Sequence, residues 1–467
     1  MLFNSLQFIL FFALVYSVYL LIQKKLVLRN SFLLLSSYIF YAAWDVRFLS
    51  LLILSTAVDF IIGNQIGKLP LNSSRRKPLL YVSLGVNLGM LGVFKYFDFF
   101  SSSFALLVHS LGYETSPILL HWVLPVGISF YTFQTLSYTL DVYTGSLKPT
   151  KNLLNFSLFV SFFPQLVAGP IERARDLLPQ IAEIRPITKQ RIREGLFLIL
   201  YGYLLKVVLA DNLAKWVNPV FDDPSLFAPI DRILAGVAFT FQIYGDFSGY
   251  SKIARGTAKL MGFDLRLNFS TPFFSRNPVE FWDRWHMSLS SWFKEYLYSP
   301  LGLHYMRKGN TFLNRYKAHF ISMALIGLWH GASFNFVFFG VFWGICIVVY
   351  HAGRSKVKIA KPLGISINLI LVWFGFLLFR SPSLTHLSSF IGNMGLTGGA
   401  QTESIVRQLI FFVLPLILFE ILQVLKNDSY FLIRLPWYQK TPVYLMGILW
   451  LVLFGVRDEV QFIYFQF

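Results

Sequence analysis

With one cysteine in 467 residues, Cys346, an intramolecular disulfide, a thiolate zinc site and a CxxC redox pair are all impossible. Charge is also scarce. Charged residues make up 14% of the chain, against about a quarter in soluble proteins. There is no GxxxxGK[ST] phosphate loop, GxGxxG turn, HExxH helix or GxSxG elbow. ATP-driven transport, Rossmann dinucleotide binding and zinc proteolysis therefore have no motif behind them. What is present is apolar: 55% hydrophobic and 18% aromatic, with 50 Phe. That composition excludes a disordered or collagen-like chain and leaves a polytopic membrane protein. Lys and Arg number 41 and Asp and Glu 23, a net charge of +18. In a soluble chain this excess would point to nucleic acid. No long basic run supports that here, and membrane proteins collect Lys and Arg in cytoplasmic loops, so no nucleic-acid partner is expected.

A membrane helix needs about 20 mainly apolar residues. Candidate spans lie near 5–23, 30–45, 47–63, 78–97, 117–140, 194–210, 231–250, 318–334, 335–352, 364–380, 407–425 and 441–456. The first has no basic residue before it and Lys24-Lys25 after it, the reverse of a signal peptide. It is expected to be a retained span with its N-terminus outside. Basic clusters follow the first span (Lys24, Lys25, Arg29) and the third (Lys68, Arg75, Arg76, Lys77), and fill 173–193 and 354–361; 98–116 and 381–406 have none. This alternation is the positive-inside pattern. It puts 141–152 and 173–193 on one side, so the run 153–170, with Pro164, Gly169 and Pro170, is either a re-entrant segment or a kinked helix with a misassigned neighbour. The expected fold is an all-α polytopic membrane protein of about 11 to 13 membrane-embedded helices, some re-entrant or interfacial, in one domain covering 1–467.

The unusual stretch is 241–335, polar, aromatic and rich in Gly and Pro between clear spans. Within it, 279–297 reads as an amphipathic helix with Phe281, Trp285, Leu289, Trp292 and Tyr296 on one stripe, its aromatics turned toward lipid or protein and most of them expected to form an interfacial belt. His286 sits at its edge with Asp283 at i−3 and Ser290 at i+4. Either a carboxylate orients the imidazole, or the histidine is an ordinary hydrogen-bonded interfacial residue. His330 lies 13 residues beyond Lys317, roughly 20 Å into the bilayer. An ionisable residue at that depth suggests function, and a neutral imidazole can take a proton from a hydroxyl. The alternative is a helix contact through Gly327 and Gly331, with His330 bonded to a neighbouring helix. Gln134, Gln165, Gln242, Asp246 and Ser248 either line a cavity or join helices; Asp246, read as near the inner end of its span, can simply face water.

Five segments carry a resemblance: PVGISFYTFQTLSYTLDVYTG at 125–145, FFPQLVAGPIERA at 162–174, DFSGYSKIARGTAKLMGF at 246–263, NFSTPFFSRNPVEFWDRWHMSLSSWFKEYLY at 268–298 and LIGLWHGASFNFVFFG at 325–340. In this order they resemble the membrane-bound O-acyltransferase family, in its bacterial alginate O-acetyltransferase-like branch. Asp283 stands where a basic residue is common in that branch. The resemblance implies helices around a transmembrane funnel, with the essential histidine on His330, as base for the acceptor hydroxyl or as carrier of the acyl group, and a second polar position on His286, which would position the donor or stabilise developing charge. It implies transfer of an acyl group, for this branch acetyl from acetyl-CoA, from a cytosolic thioester toward hydroxyls of an extracytoplasmic polysaccharide. An SGNH hydrolase-like partner outside the inner membrane would complete the transfer. Candidate substrate-binding residues are Trp285, Trp329, Asp246, Gln242, Asn268 and Ser290. No bound cofactor and no metal site is expected, since neither histidine has ligands at metal spacing. The alternatives are D-alanyl or other acyl transfer from a carrier protein to teichoic acid, lipid or protein, and a transporter without covalent chemistry.

Overall fold

Peptide groups cannot remain unpaired in hydrocarbon, so long apolar runs are forced into helices. The computed structural model describes all residues except Ala168, Asn310, 355–358, Glu459 and 464–467, and the described residues contain helices and no strand. The basic residues Lys356 and Lys358 therefore lie outside the described residues.

The helices are α1 Leu6–Ile22, α2 Leu26–Ala42, α3 Val46–Gly67, α4 Arg76–Ser110, α5 Ile128–Thr144, α6 Leu153–Ser161, α7 Ala174–Ala182, α8 Lys189–Asp222 and α9 Pro229–Leu260. After these come α10 Pro278–Arg284, α11 Met287–Phe293, α12 Ser299–Arg307, α13 Phe312–His330, α14 Phe334–Gly353, α15 Lys361–Arg380, α16 Leu384–Gly392, α17 Thr402–Lys426 and α18 Trp437–Phe454. Among the described residues α3, α4, α8, α14, α15 and α17 are long and apolar enough to cross a membrane, with α1 and α2 apolar but shorter. The protein is a multi-pass membrane protein.

Hydrogen bonds sort the connections into two ends. At the basic end Arg29 donates to the carbonyls of Ile181 (2.7 Å) and Glu183 (2.9 Å), and Arg76 to that of Val142 (2.7 Å). Arg191 there donates to Asp264 (2.9 Å). At the opposite end His386 meets the Phe221 carbonyl (2.8 Å), the Ile230 amide donates to Thr397 (3.2 Å), and Asn4 reaches Val460 (3.4 Å).

The segment after α5 is re-entrant. Asn30 bonds both Asn155 (3.0 Å) and the Ile181 carbonyl (2.9 Å), so the chain enters and leaves at the same end. Its α6 has nine residues, too few for a core about 30 Å thick. Breaking the helix orphans carbonyls. The Phe159 carbonyl accepts from the side-chain amides of Gln134 (2.5 Å) and Gln165 (2.6 Å), which gives those two residues a structural task.

Three expected boundaries are corrected. The span predicted over 117–140 begins as irregular chain, and its helix, α5, starts at Ile128. Pro117 and Pro125 disfavour helix before it, and Gly127 caps it at φ +78°, a value glycine adopts without a Cβ clash. The loop predicted over 98–116 is largely the outer part of α4, a helix that continues through a π turn at Gly92–Tyr96. The amphipathic helix predicted over 279–297 is broken at Trp285-His286. Its aromatics are not an interfacial belt: Phe281, Trp285 and Trp292 are buried, as is Leu289.

Two close packings frame the site. A Cβ added to Gly249 would lie 2.7 Å from the Gly202 carbonyl, and one on Gly256 2.6 Å from that of Gly195. Pairs seven residues apart on α8 and α9 thus bring two backbones together, as small residues do in membranes. Likewise, a Cβ on Gly327 would meet the Phe336 carbonyl at 2.0 Å, and one on Gly340 that of Met323 at 2.1 Å, which locks α13 against α14.

Candidate active site

The end of a helix is where backbone carbonyls lose their partners. Helix α13 ends at His330, and Gly331 leaves it in an extended conformation (φ −162°). Lys95, from the π turn of α4, donates to the carbonyls of Trp329 (2.7 Å) and His330 (3.2 Å). The Tyr96 hydroxyl donates to Leu328 (3.0 Å). The His330 backbone is thereby fixed by a neighbouring helix, and its buried ring stands 5.4 Å from Phe379 and 5.9 Å from Phe339. The glycines pack the helix, as the helix-contact reading expects, and His330 lines a cavity. Lys95 was missed in the sequence. Its signal was a lone lysine near the end of an apolar run, where a helix-capping ammonium is readily taken for a loop charge.

His286 sits at the break between α10 and α11 with φ +42°, a left-handed conformation that costs a non-glycine residue about 1 kcal/mol or more. It is fully buried. Asn268 holds the break: its backbone carbonyl accepts from the Met287 amide (2.9 Å) and its side-chain oxygen from that of Ser288 (3.4 Å), while its amide donates to Ser251 (3.0 Å). The Ser288 hydroxyl in turn accepts from Ile171 (3.0 Å), tying in the re-entrant segment. Asp283 is exposed, on the far side of the break, so the helical neighbour relation expected between it and His286 does not form. Ser290 turns back to the Trp285 carbonyl (3.1 Å).

The two imidazoles face each other with ring centroids 6.4 Å apart. Trp329 is 5.6 Å from His286 and 4.9 Å from His330, and Phe247 is set edge-on to His286 at 4.6 Å. Phe133 stacks on Trp292 at 4.1 Å and on Trp329 at 5.9 Å.

Two cavities lie nearby: His330 lines one, and Met287, next to His286 in the chain, lines the other. One, of about 160 Å³, is lined by Lys95, the 123–130 segment, Trp329 and His330 at the end of α13. The other, of about 470 Å³, runs along the preceding turns of α13, with His319, Ser322 and Ile326 on one wall and Met287, Ser290 and Lys294 on the other. Its α13 residues lie toward the basic end and those of the first cavity toward the opposite end. Beside the larger cavity Arg175 donates to both oxygens of Glu295 (2.5 and 2.8 Å). Burial acts to raise the Glu295 carboxyl, and the hydrogen bond and charge of Arg175 outweigh it, holding it below the usual carboxylate range.

The remaining expected site residues lie elsewhere. Asp246 is not near the end of its span: α9 runs on to Leu260. It is buried, paired with Lys206 (2.7 Å), and accepts from the Ile463 amide (2.7 Å); Lys206 also holds Asp211 (2.7 Å). Trp285 is packed among Phe269, Phe281 and Phe376. Gln242 is buried one turn before Asp246 on α9. His286, Asn268, Trp285, Asp246 and Gln242 line neither cavity; of the expected site residues, His330 and Trp329 line the smaller and Ser290 the larger.

Residues 145–389 match the model of the membrane-bound O-acyltransferase family. A probable alginate O-acetylase of Pseudomonas putida is 39% identical over 81% of this chain and 77% of its own length. A peptidoglycan O-acetyltransferase of Helicobacter pylori is 31% identical over 93% and 91%. A teichoic acid D-alanyltransferase of Streptococcus thermophilus is 31% identical over 54% and 68%.

Proposed function

Since this chain belongs to the membrane-bound O-acyltransferase family and is an O-acyltransferase, we propose that it carries an acetyl group from cytosolic acetyl-CoA toward hydroxyls of an extracytoplasmic polysaccharide. The observation that carries this reading is the pair of imidazoles 6.4 Å apart, with His330 on the wall of one cavity and Met287, the chain neighbour of His286, on the wall of another. The thioester enters the larger cavity from the basic end. The acceptor hydroxyl enters the smaller one, where His330 forms part of the wall. His330 takes the hydroxyl proton as the oxygen attacks the thioester carbonyl. The new C–O bond forms, the C–S bond breaks, and the proton ends on the departing thiol. His286, at the donor side, gives a ring N–H to the carbonyl oxygen as charge develops there. Trp329 and Ser290 line the substrate path, and Asn268 acts on it by setting the His286 backbone. The hydroxyl acylated here is that of an SGNH-like partner, which then passes the acetyl group to a glycan hydroxyl. The basic clusters support a bacterial inner-membrane protein with its N-terminus outside, and the whole of 1–467 is taken as one domain. Family membership displaces the transporter alternative.

A second reading, D-alanyl transfer from a carrier protein, is favoured by the likeness to the Streptococcus D-alanyltransferase. Purified protein given labelled acetyl-CoA, or a D-alanyl-charged carrier, together with partner and acceptor, separates the two. Label transfer from acetyl-CoA that is lost in a folded His330→Ala variant is the expected result. Transfer from the carrier alone would select the second reading. Full transfer by His330→Ala would remove that histidine from the mechanism.

A further inference from the structure

At the basic end, on the side formed by α8 and α18, lies a feature that shares no lining residue with the two cavities near the histidines. A cavity of about 630 Å³ is lined by Lys189, Arg193, Arg434 and Lys440. Its one carboxylate, Glu194, is already held by Lys259 (2.6 Å). Among the described residues Lys189, Arg193 and Lys440 have no ion pair, whereas Arg434 meets Asp428 at 3.1 Å. Lys440 is steadied by the Ile433 carbonyl (3.2 Å).

The same two helices continue from this cavity into an apolar groove of about 180 Å³. On α8, Arg193 is followed at helical spacing by Phe197, Leu200 and Leu204; on α18, Lys440 is followed by Val443, Gly447 and Trp450. Each helix therefore shows one face that is cationic at its end and apolar deeper in. From Arg193 to Leu204 is about 16 Å of helix. Gly447 keeps the groove open: a Cβ there would already stand 3.3 Å from Leu204.

We propose that this is a binding site for one anionic phospholipid, its phosphate headgroup among Lys189, Arg193 and Lys440 and an acyl chain along the groove. The occupant follows from the order of chemistry. A soluble anion would use the cations and leave the groove empty, and a neutral lipid would leave three unpaired cations. Basic pockets between membrane helices are suited to anionic headgroups.

The test is native mass spectrometry of the purified full-length protein in nonionic detergent, titrated with dioleoylphosphatidylglycerol, with dioleoylphosphatidylcholine, and with inorganic phosphate. Phosphatidylglycerol is expected to bind preferentially. Arg193→Gln with Lys440→Gln should weaken that binding about 30-fold, at about 1 kcal/mol per cation. Gly447→Leu should block the chain. If Gly447→Leu does not fold, the charge variant, made at surface positions, still decides. Equal binding of phosphatidylcholine, or unchanged affinity in the charge variant, would overturn the proposal. Full displacement of the lipid by phosphate would reduce the site to a free-anion pocket and also overturn it.

Discussion

Asp246 and His330 are both buried, both ionisable and both set in membrane helices, yet they do opposite things. The Asp246 carboxylate is consumed by structure: Lys206 takes one oxygen and the Ile463 amide the other. His330 stands where a helix ends, and its ring forms part of a cavity wall. Burial of an ionisable group is therefore not enough to mark chemistry. What sets His330 apart is space beside the group, together with a neighbour that binds its backbone.

This contrast can be broken. His330→Ala should lower acyl transfer about 1,000-fold, some 4 kcal/mol of activation free energy, with little change in the melting transition. Transfer kinetics alongside thermal unfolding in detergent would check it, and near-normal turnover would put His330 with Asp246 among structural residues. Asp246→Ala should act the other way. It leaves Lys206 with only Asp211 and should cost about 3 kcal/mol of stability, seen as an early unfolding transition, while the remaining folded fraction keeps its turnover. Loss of turnover in fully folded Asp246→Ala would erase the distinction.

Two smaller effects sharpen it. Lys95→Met should reduce kcat about tenfold by freeing the carbonyls of Trp329 and His330, with KM for the thioester donor unchanged; a change confined to KM would place Lys95 on a substrate instead. Asn268→Ala should cost about 1 kcal/mol, the usual worth of a helix cap, with the serine variant recovering part of both stability and rate. A substitution there without effect would mean that the left-handed His286 is held by packing alone.

Much of the fold was legible because a bilayer imposes length and apolarity on every crossing helix. The ends of α3, α14 and α15 fall close to where hydropathy sets them. The re-entrant segment was one of two readings, and loop charge together with Pro164, Gly169 and Pro170 pointed toward it. The break at His286 was not legible. Phe281, Trp285, Leu289 and Trp292 recur at helical spacing, and that period is the same whether the helix is continuous or interrupted by one left-handed residue. Nor did the sequence mark Lys95, which is 234 residues from the carbonyl of Trp329 that it caps.

The sequence by itself determined that this chain lives in a membrane and which loops share a side, because composition and charge alternation are properties of the chain taken in line. Only the tertiary structure decided that the His286 and His330 rings lie 6.4 Å apart, with His330 on a cavity wall, that Asp246 is spent on an ion pair and that Trp285 is core. Those outcomes depend on which helices pack together. Packing is set by long-range fits, such as Gly249 against Gly202 and Gly327 against Phe336, whose partners no local pattern names.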